Sequence, residues 1–399
     1  MQISQRNIKI YYLSQLFHSM VFTAPIWIVF YTLRGVSEAE ISLIMTFAYI
    51  MQMVWELPSG ALADLIGRRT ILVISFIISS LSYISFFYAE GFIWFLVLNL
   101  IMSIGDSFRS GSEEALIYDS FKQDGKEEGI SKVFANASAI YQGGLIFGAI
   151  AGGILYSFNP VLPSVTYGIV LLLGAISSLL YIEPKIDSER FTLKNYWLQI
   201  VNGSKEAFSS GKYSSLMSLF YIFVGGIAWS STLFFNESLL VDLGYSDTVR
   251  GIIGGVLRLL NILLITYVLA RGKYFSQRGT ILMFPIIMLI AYLPGVFLNS
   301  TVAPLFIQLA MLATTSRFII LSPVVNKVFS SKYRATALSF LSLMIGFVYV
   351  TLTGVSAYII PEFGIKTMYT LLGVFSLLTV LPLAYMLIKN MPKVESNIQ

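Results

Sequence analysis

Gly60-Ala-Leu-Ala-Asp64-Leu-Ile-Gly67-Arg68-Arg69 sits between two long apolar runs, 41–57 and 70–88, and gathers one acid and two bases into a short turn. A helix that crosses a bilayer needs about 20 apolar residues, and a charge at its centre costs about 2.5–3.5 kcal/mol on insertion scales. The turn therefore belongs at a membrane surface, joining two spans. A turn with a glycine stop and bases facing the cytoplasm would also read this way, so the rest of the chain has to decide what kind of membrane protein this is.

Hydrophobic residues make up 56% of the chain and charged residues 12%, with a mean hydropathy of +0.77. Soluble domains carry about 25% charged residues, so a soluble globule is excluded. Apolar runs of span length fall near 8–33, 38–63, 68–89, 91–118, 132–158, 161–182, 213–237, 247–270, 277–298, 301–327, 334–360 and 364–388. They predict an all-α integral membrane protein of twelve transmembrane helices. The first run is too long for the apolar core of a signal peptide and is expected to be a retained helix. There is no cysteine, which excludes disulfides, thiolate metal sites and cysteine nucleophiles.

Lys and Arg set the orientation. With the N-terminus inside, twenty of the 26 bases fall in the connections on that side and three, Arg34, Arg250 and Lys366, on the other. This positive-inside bias places both termini in the cytoplasm. The net charge of +5 then reflects topology, and no nucleic-acid binding is read into it. The remaining bases, Arg109, Arg258 and Arg317, fall within spans. The longest polar stretch, 183–212, divides the runs six and six. Leu193, Trp197, Ile200, Val201 and Phe208 recur in it at helical spacing, which predicts a helix lying on the cytoplasmic surface. The expected domains are thus 1–182, a linker at 183–212, and 213–399. RRTILVIS at 68–75 and QRGTILMF at 277–284 each open the third span of a half. Such repeats characterise secondary transporters.

The spacing G-x-x-x-D-x-x-G-R-R at Gly60, Asp64, Gly67, Arg68 and Arg69 resembles motif A of the major facilitator superfamily, with Leu65 where many members carry a base. Gly144, Gly148, Gly152 and Gly153 match the glycines of its exporter motif C, with Ala149 in place of the usual proline. Helix packing alone would also explain these glycines, because small residues four apart let membrane helices approach closely. The chain resembles this superfamily over its whole length, and within it the twelve-span drug and metabolite:proton antiporters. That resemblance implies a motif A latch in which Asp119 pairs with Arg68 and Arg69. A solvated loop acid, worth under about 1 kcal/mol, is the plain alternative.

An ionisable residue inside a span is a functional hypothesis, because only a partner or a water-filled cavity compensates its burial. In the fourth span Asp106, Arg109 and Glu113 are spaced i, i+3 and i+7, which predicts one helix face and a protonatable carboxyl beside a base. The alternative is an ion pair that fixes the span. Asp106 is the leading candidate for carrying a proton, with Glu113 and Glu56, the latter near the cytoplasmic end of the second span beside Pro58, in reserve. His18 is the single histidine and suits either proton movement or a cavity wall. Gln52, Gln142, Arg258 and Arg317 complete the expected substrate cavity. The two arginines suit an anionic or carbonyl-bearing group, or else neutralise the acids across the cavity.

No nucleophile–base pair or metal-ligand cluster appears, so neither enzyme activity nor a metal or cofactor is expected. The resemblance implies a monomeric proton antiporter in the cell membrane, exporting a small organic molecule. A proton-coupled importer or uniporter of a small organic anion is the alternative, and a non-transporting membrane sensor a further one.

Overall fold

A computed structural model describes residues 2–110, 112–126, 129–184, 193–209, 211–265, 276–326, 328–329 and 334–391. At Gly60 and Asp64 the backbone alone is described. The described residues form helices and turns and no strand. The first six runs become α1 (Ile3–Ser19), α2 (Trp27–Leu33), α3 (Glu38–Ile66), α4 (Arg68–Ser85), α5 (Gly91–Arg109), α6 (Ser112–Gln123), α7 (Ile130–Phe158) and α8 (Leu162–Ser178). The linker holds α9 (Leu193–Ser209). The remaining runs become α10 (Lys212–Ser230), α11 (Asn236–Asp242), α12 (Asp247–Leu263), α13 (Gln277–Tyr292), α14 (Ala303–Ser316), α15 (Ser322–Asn326), α16 (Arg334–Phe363), α17 (Ile365–Leu378) and α18 (Val380–Lys389). Among the described residues, seven helices are long and apolar enough to cross a membrane.

Local chemistry sets several ends. Ser37 caps α3 reciprocally: its hydroxyl accepts from the Glu40 amide, and the Glu40 carboxylate takes the Ser37 amide. Gly67, at φ 91°, is the single residue between α3 and α4, capping the end of one and the start of the other. That left-handed turn suits glycine and brings the charged stretch to the surface.

Two expected spans are interrupted. The first breaks at 20–26, between α1 and α2, where Pro25 has no amide to donate. The fourth breaks at Ser110, whose ψ of 125° is not helical. Asp106 and Arg109 therefore lie on α5 and Glu113 on α6, so the three do not share one continuous helix face as their spacing predicts. The seventh and tenth spans contain π-helical turns, Ser231–Phe235 and Arg317–Leu321.

The chain forms two compact units, Met1–Tyr196 with Gly244–Leu259, and Trp197–Leu243 with Leu260–Gln399. In the first, α4 packs on α5 and α8, α3 on α5, and α1 on α7 and α8. Contacts are close because small residues face one another. The Ser75 hydroxyl donates to the Gly105 carbonyl at 2.6 Å, and the Ser80 hydroxyl to the Gly168 carbonyl at 2.6 Å. Between membrane helices, where burial from water drives little, such contacts carry the association. In the second unit α10 packs on α16 and α18, and α13 on α14, α17 and α18.

Residues 244–259 join the first unit through facing glycines. A Cβ at Gly251 would lie 2.5 Å from the Ala149 carbonyl oxygen, and one at Gly153 would lie 2.7 Å from the Asp247 carbonyl oxygen. The linker helix α9 packs on α16, where a Cβ at Gly203 would meet the Thr336 carbonyl oxygen at 2.5 Å.

Candidate functional site

The break in the fourth span is what builds the site. Because α5 ends at Arg109 and α6 restarts at Ser112, Glu113 turns into the unit, where it is 2% exposed. Gln15 on α1 donates to one carboxylate oxygen at 2.9 Å, and the Tyr181 hydroxyl donates to the other at 3.0 Å. Arg109 Nη1 lies 3.7 Å from the carboxylate. Glu113 is thus held from three elements. Arg109 keeps donor capacity, since its Nε is buried with no hydrogen-bond partner among the described residues.

Asp106 has a different environment. It is half-buried on α5, near enough to Arg109 to interact electrostatically, and its carboxylate accepts no hydrogen bond among the described residues. Tyr83 on α4 and Tyr167 on α8 are its electrostatic neighbours. The Tyr167 hydroxyl donates to the His18 carbonyl at 2.6 Å at the end of α1, and the His18 ring stacks on Tyr141 at 6.1 Å. Asp106, Arg109, Glu113 and His18 therefore occupy one polar region of the first unit. Gln52 is half-buried and its backbone carbonyl accepts from the Ser107 hydroxyl at 3.0 Å; Gln142 is half-buried on α7 beside Tyr141. Glu56 stands apart from the cluster and is exposed on α3.

Arg258 is half-buried on α12 in the first unit. Arg317 is in the second unit, 2% exposed, at the head of a π-helical turn. Its guanidinium lies 5.2, 5.6 and 4.1 Å from the ring centroids of Tyr221, Trp229 and Phe318. The aromatic faces compensate part of its desolvation, and Gly225 leaves room for it, a Cβ there falling 3.0 Å from Nη1.

At the turn between α3 and α4, Arg68 pairs with Asp119 on α6. Sequence reasoning missed Glu183, just past α8. Its two oxygens accept the Arg68 and Arg69 amides at 2.8 Å each, so it caps the start of α4. An acid immediately before Pro184 at the end of an apolar run was the available signal. Carboxylates at helix starts accept orphan amides and meet the positive end of the helix dipole. Glu183→Gln is expected to lower the unfolding free energy by about 1 kcal/mol, read from thermal unfolding in detergent. Asn7 supports the same corner, exchanging hydrogen bonds with the Ile182 amide and carbonyl at 3.0 and 2.9 Å. Outside the membrane, hydrogen bonds from Ser4 hold the Asp124 carboxyl below the usual carboxylate range.

The glycines Gly144, Gly148 and Gly152 of α7 lie against the end of α1 and the break that follows. A Cβ at each would lie 1.8 Å from the Ser19 hydroxyl, 2.7 Å from the Val21 amide nitrogen and 1.8 Å from the Phe22 carbonyl oxygen, respectively. Among the described residues no group of His, Cys, Asp or Glu side chains could hold a metal ion.

Residues 11–326 match the Major Facilitator Superfamily. The chain is 24% identical over 381 residues to YxaM of Bacillus subtilis (strain 168), described as an uncharacterized MFS-type transporter, covering 94% of this chain and 92% of that protein. It is 25% identical over 296 residues to the MFS-type transporter MJ1560 of Methanocaldococcus jannaschii, covering 70% of each. Among solved structures it resembles the nucleoside transporter NupG (TM-score 0.73, 14% identity, 98% of this chain and 99% of that one). It also resembles an auto-inhibited POT family peptide transporter (TM-score 0.72, 12% identity, 99% of each). At such identities the structures carry the fold alone. A profile match over most of the chain, relatives that are themselves transporters and the shared helical architecture make this chain a member of the Major Facilitator Superfamily, a multi-pass membrane transporter.

Proposed function

We propose that this transporter exports a small organic molecule, a drug or metabolite, in exchange for protons by alternating access. In this reading it acts as a monomer in the cell membrane, with both termini cytoplasmic and two six-helix halves, 1–182 and 213–399, joined through 183–212. The observation that carries the proposal is the contrast between two neighbouring acids. Glu113 has its hydrogen bonds supplied by Gln15 and Tyr181, whereas Asp106 has none among the described residues. A carboxylate with no hydrogen-bond donor inside a span is costly as an ion, and a proton or a cationic ligand removes that cost. Asp106 is therefore the proposed proton site, with Arg109 and Glu113 as its fixed surroundings and Glu56 in reserve. His18, Gln52, Gln142, Arg109, Arg258 and Arg317 are the proposed cavity groups. The Arg68–Asp119 pair, steadied by Glu183 capping the start of α4, supports a latch on the cytoplasmic side with Gly60, Asp64, Gly67 and Arg69. The test uses purified protein in vesicles with an imposed pH gradient and a panel of candidate substrates. Uphill movement that follows the gradient is expected, and wild-type transport indifferent to it overturns proton coupling.

A second reading, import or uniport of a small organic anion, is favoured by the buried Arg317 in its aromatic surround. In that case Arg317→Gln weakens binding of an anionic ligand by about 2–5 kcal/mol, measured by calorimetry. Equal affinities in wild type and variant make Arg317 structural.

A further inference from the structure

Arg250 is one of the three bases that the sequence assigns to the outer connections, and it is 3% exposed. Its partners explain the burial. Nη1 donates to the Tyr245 carbonyl at 2.7 Å and Nη2 to the Asp247 carboxylate at 2.5 Å, both within its own segment. These fix the guanidinium so that Nε donates to the Pro25 carbonyl at 3.0 Å. That carbonyl lies in the break of the first span, where buried backbone groups depend on partners from elsewhere. Asp247 is also the residue whose carbonyl lies under Gly153 of α7, and Thr248 beside it donates to the Gly153 carbonyl at 3.5 Å. The start of α12 thus meets two elements, α7 by close backbone contact and the Thr248 hydrogen bond, and the broken first span by the charge-assisted bond from Arg250 to the Pro25 carbonyl.

We infer that Arg250 is a positioning residue for the transport cycle, a bolt that holds the start of α12 to the break between α1 and α2 and keeps the outer side closed until it releases. The two contacts differ in what their release requires. The α7 seam is close backbone packing with one long hydrogen bond, from Thr248 to the Gly153 carbonyl at 3.5 Å, and can separate gradually. Withdrawing Arg250 leaves the Pro25 carbonyl and a buried guanidinium donor to be satisfied by water, which must enter for the change to occur. The bond therefore biases a two-state element, which is the physical basis of a gate.

The inference rests on the alternating-access reading above, and its test needs neither substrate nor proton gradient. The chain has no cysteine, so a single introduced thiol reports without background. Thr248→Cys reports the outer seam, and Leu65→Cys, 78% exposed at the other end of α3, reports the inner side. Both are labelled with a membrane-impermeant maleimide in sealed vesicles of each orientation. In Arg250→Ala the outer labelling rate is expected to rise about tenfold and the inner rate to fall, with Arg250→Lys intermediate; tenfold corresponds to about 1.4 kcal/mol. Reciprocity separates a shifted equilibrium from a loosened fold. An unchanged outer rate, or two rates that rise together, overturns the bolt. Failure of wild-type vesicles to transport would instead count against the transporter reading, and the labelling result would still be informative.

Discussion

Asp106→Asn is expected to abolish gradient-driven accumulation while the protein still folds and still exchanges substrate. If one proton moves per substrate, a gradient of one pH unit drives about tenfold accumulation, because that gradient is worth about 1.4 kcal/mol. The variant should give no accumulation at all, since an amide takes up no proton. Folding should survive because Asp106 makes no side-chain hydrogen bond that asparagine would lose. Glu113→Gln provides the contrast. There the Arg109 guanidinium and the donors from Gln15 and Tyr181 remain around a neutral amide, so the variant should lose stability more than coupling. Breaking a buried pair by removing one charge costs about 3–5 kcal/mol. The measurements are uptake into proteoliposomes at several imposed gradients and thermal unfolding of both variants. Undiminished accumulation in Asp106→Asn moves the proton site to Glu113 or Glu56.

What could be read from sequence was whatever depends on local chain chemistry. Apolar run length anticipated the helices because a bilayer fixes how many residues a span needs. The turn at Gly67–Arg69 was visible for the same reason, since charges cannot stay in the hydrocarbon core. The site was only half legible. Asp106, Arg109 and Glu113 announced themselves as charges among apolar neighbours, but their spacing implied one helix, and the break at Ser110 gives the two acids different surroundings. Gln15, Tyr181 and Glu183 come from elements far away in sequence, and nothing local marks a glutamine or tyrosine as the partner of a particular carboxylate. The burial of Arg250 was not legible, because counting bases assigns a side but says nothing of burial. The first span was read as one run, and the base that meets the Pro25 carbonyl in its break lies 225 residues further along the chain.

Gly152→Ala is expected to be among the most damaging single-methyl changes in the chain, although alanine is the better helix former. In an exposed helix the change would stabilise by about 0.8–1.0 kcal/mol. At 152 the added Cβ would lie 1.8 Å from the Phe22 carbonyl oxygen, 2.7 Å from its carbon and 3.0 Å from its Cα. These are backbone atoms, so no rotamer change relieves the overlap, and α7 must move away from the break as a whole. Overpacking of this kind costs about 1–3 kcal/mol and occasionally more. Gly143→Ala is the matched control, on the same helix with nothing within 4 Å of its Cβ. It should unfold at or slightly above the wild-type temperature, while Gly152→Ala unfolds well below it. Moving α7 would also disturb the residues around Pro25, so the outer thiol at Thr248→Cys should label faster in Gly152→Ala than in Gly143→Ala. If the two alanine variants unfold together and label alike, the contact at Phe22 is looser than its geometry states, and the glycines of α7 hold nothing closed.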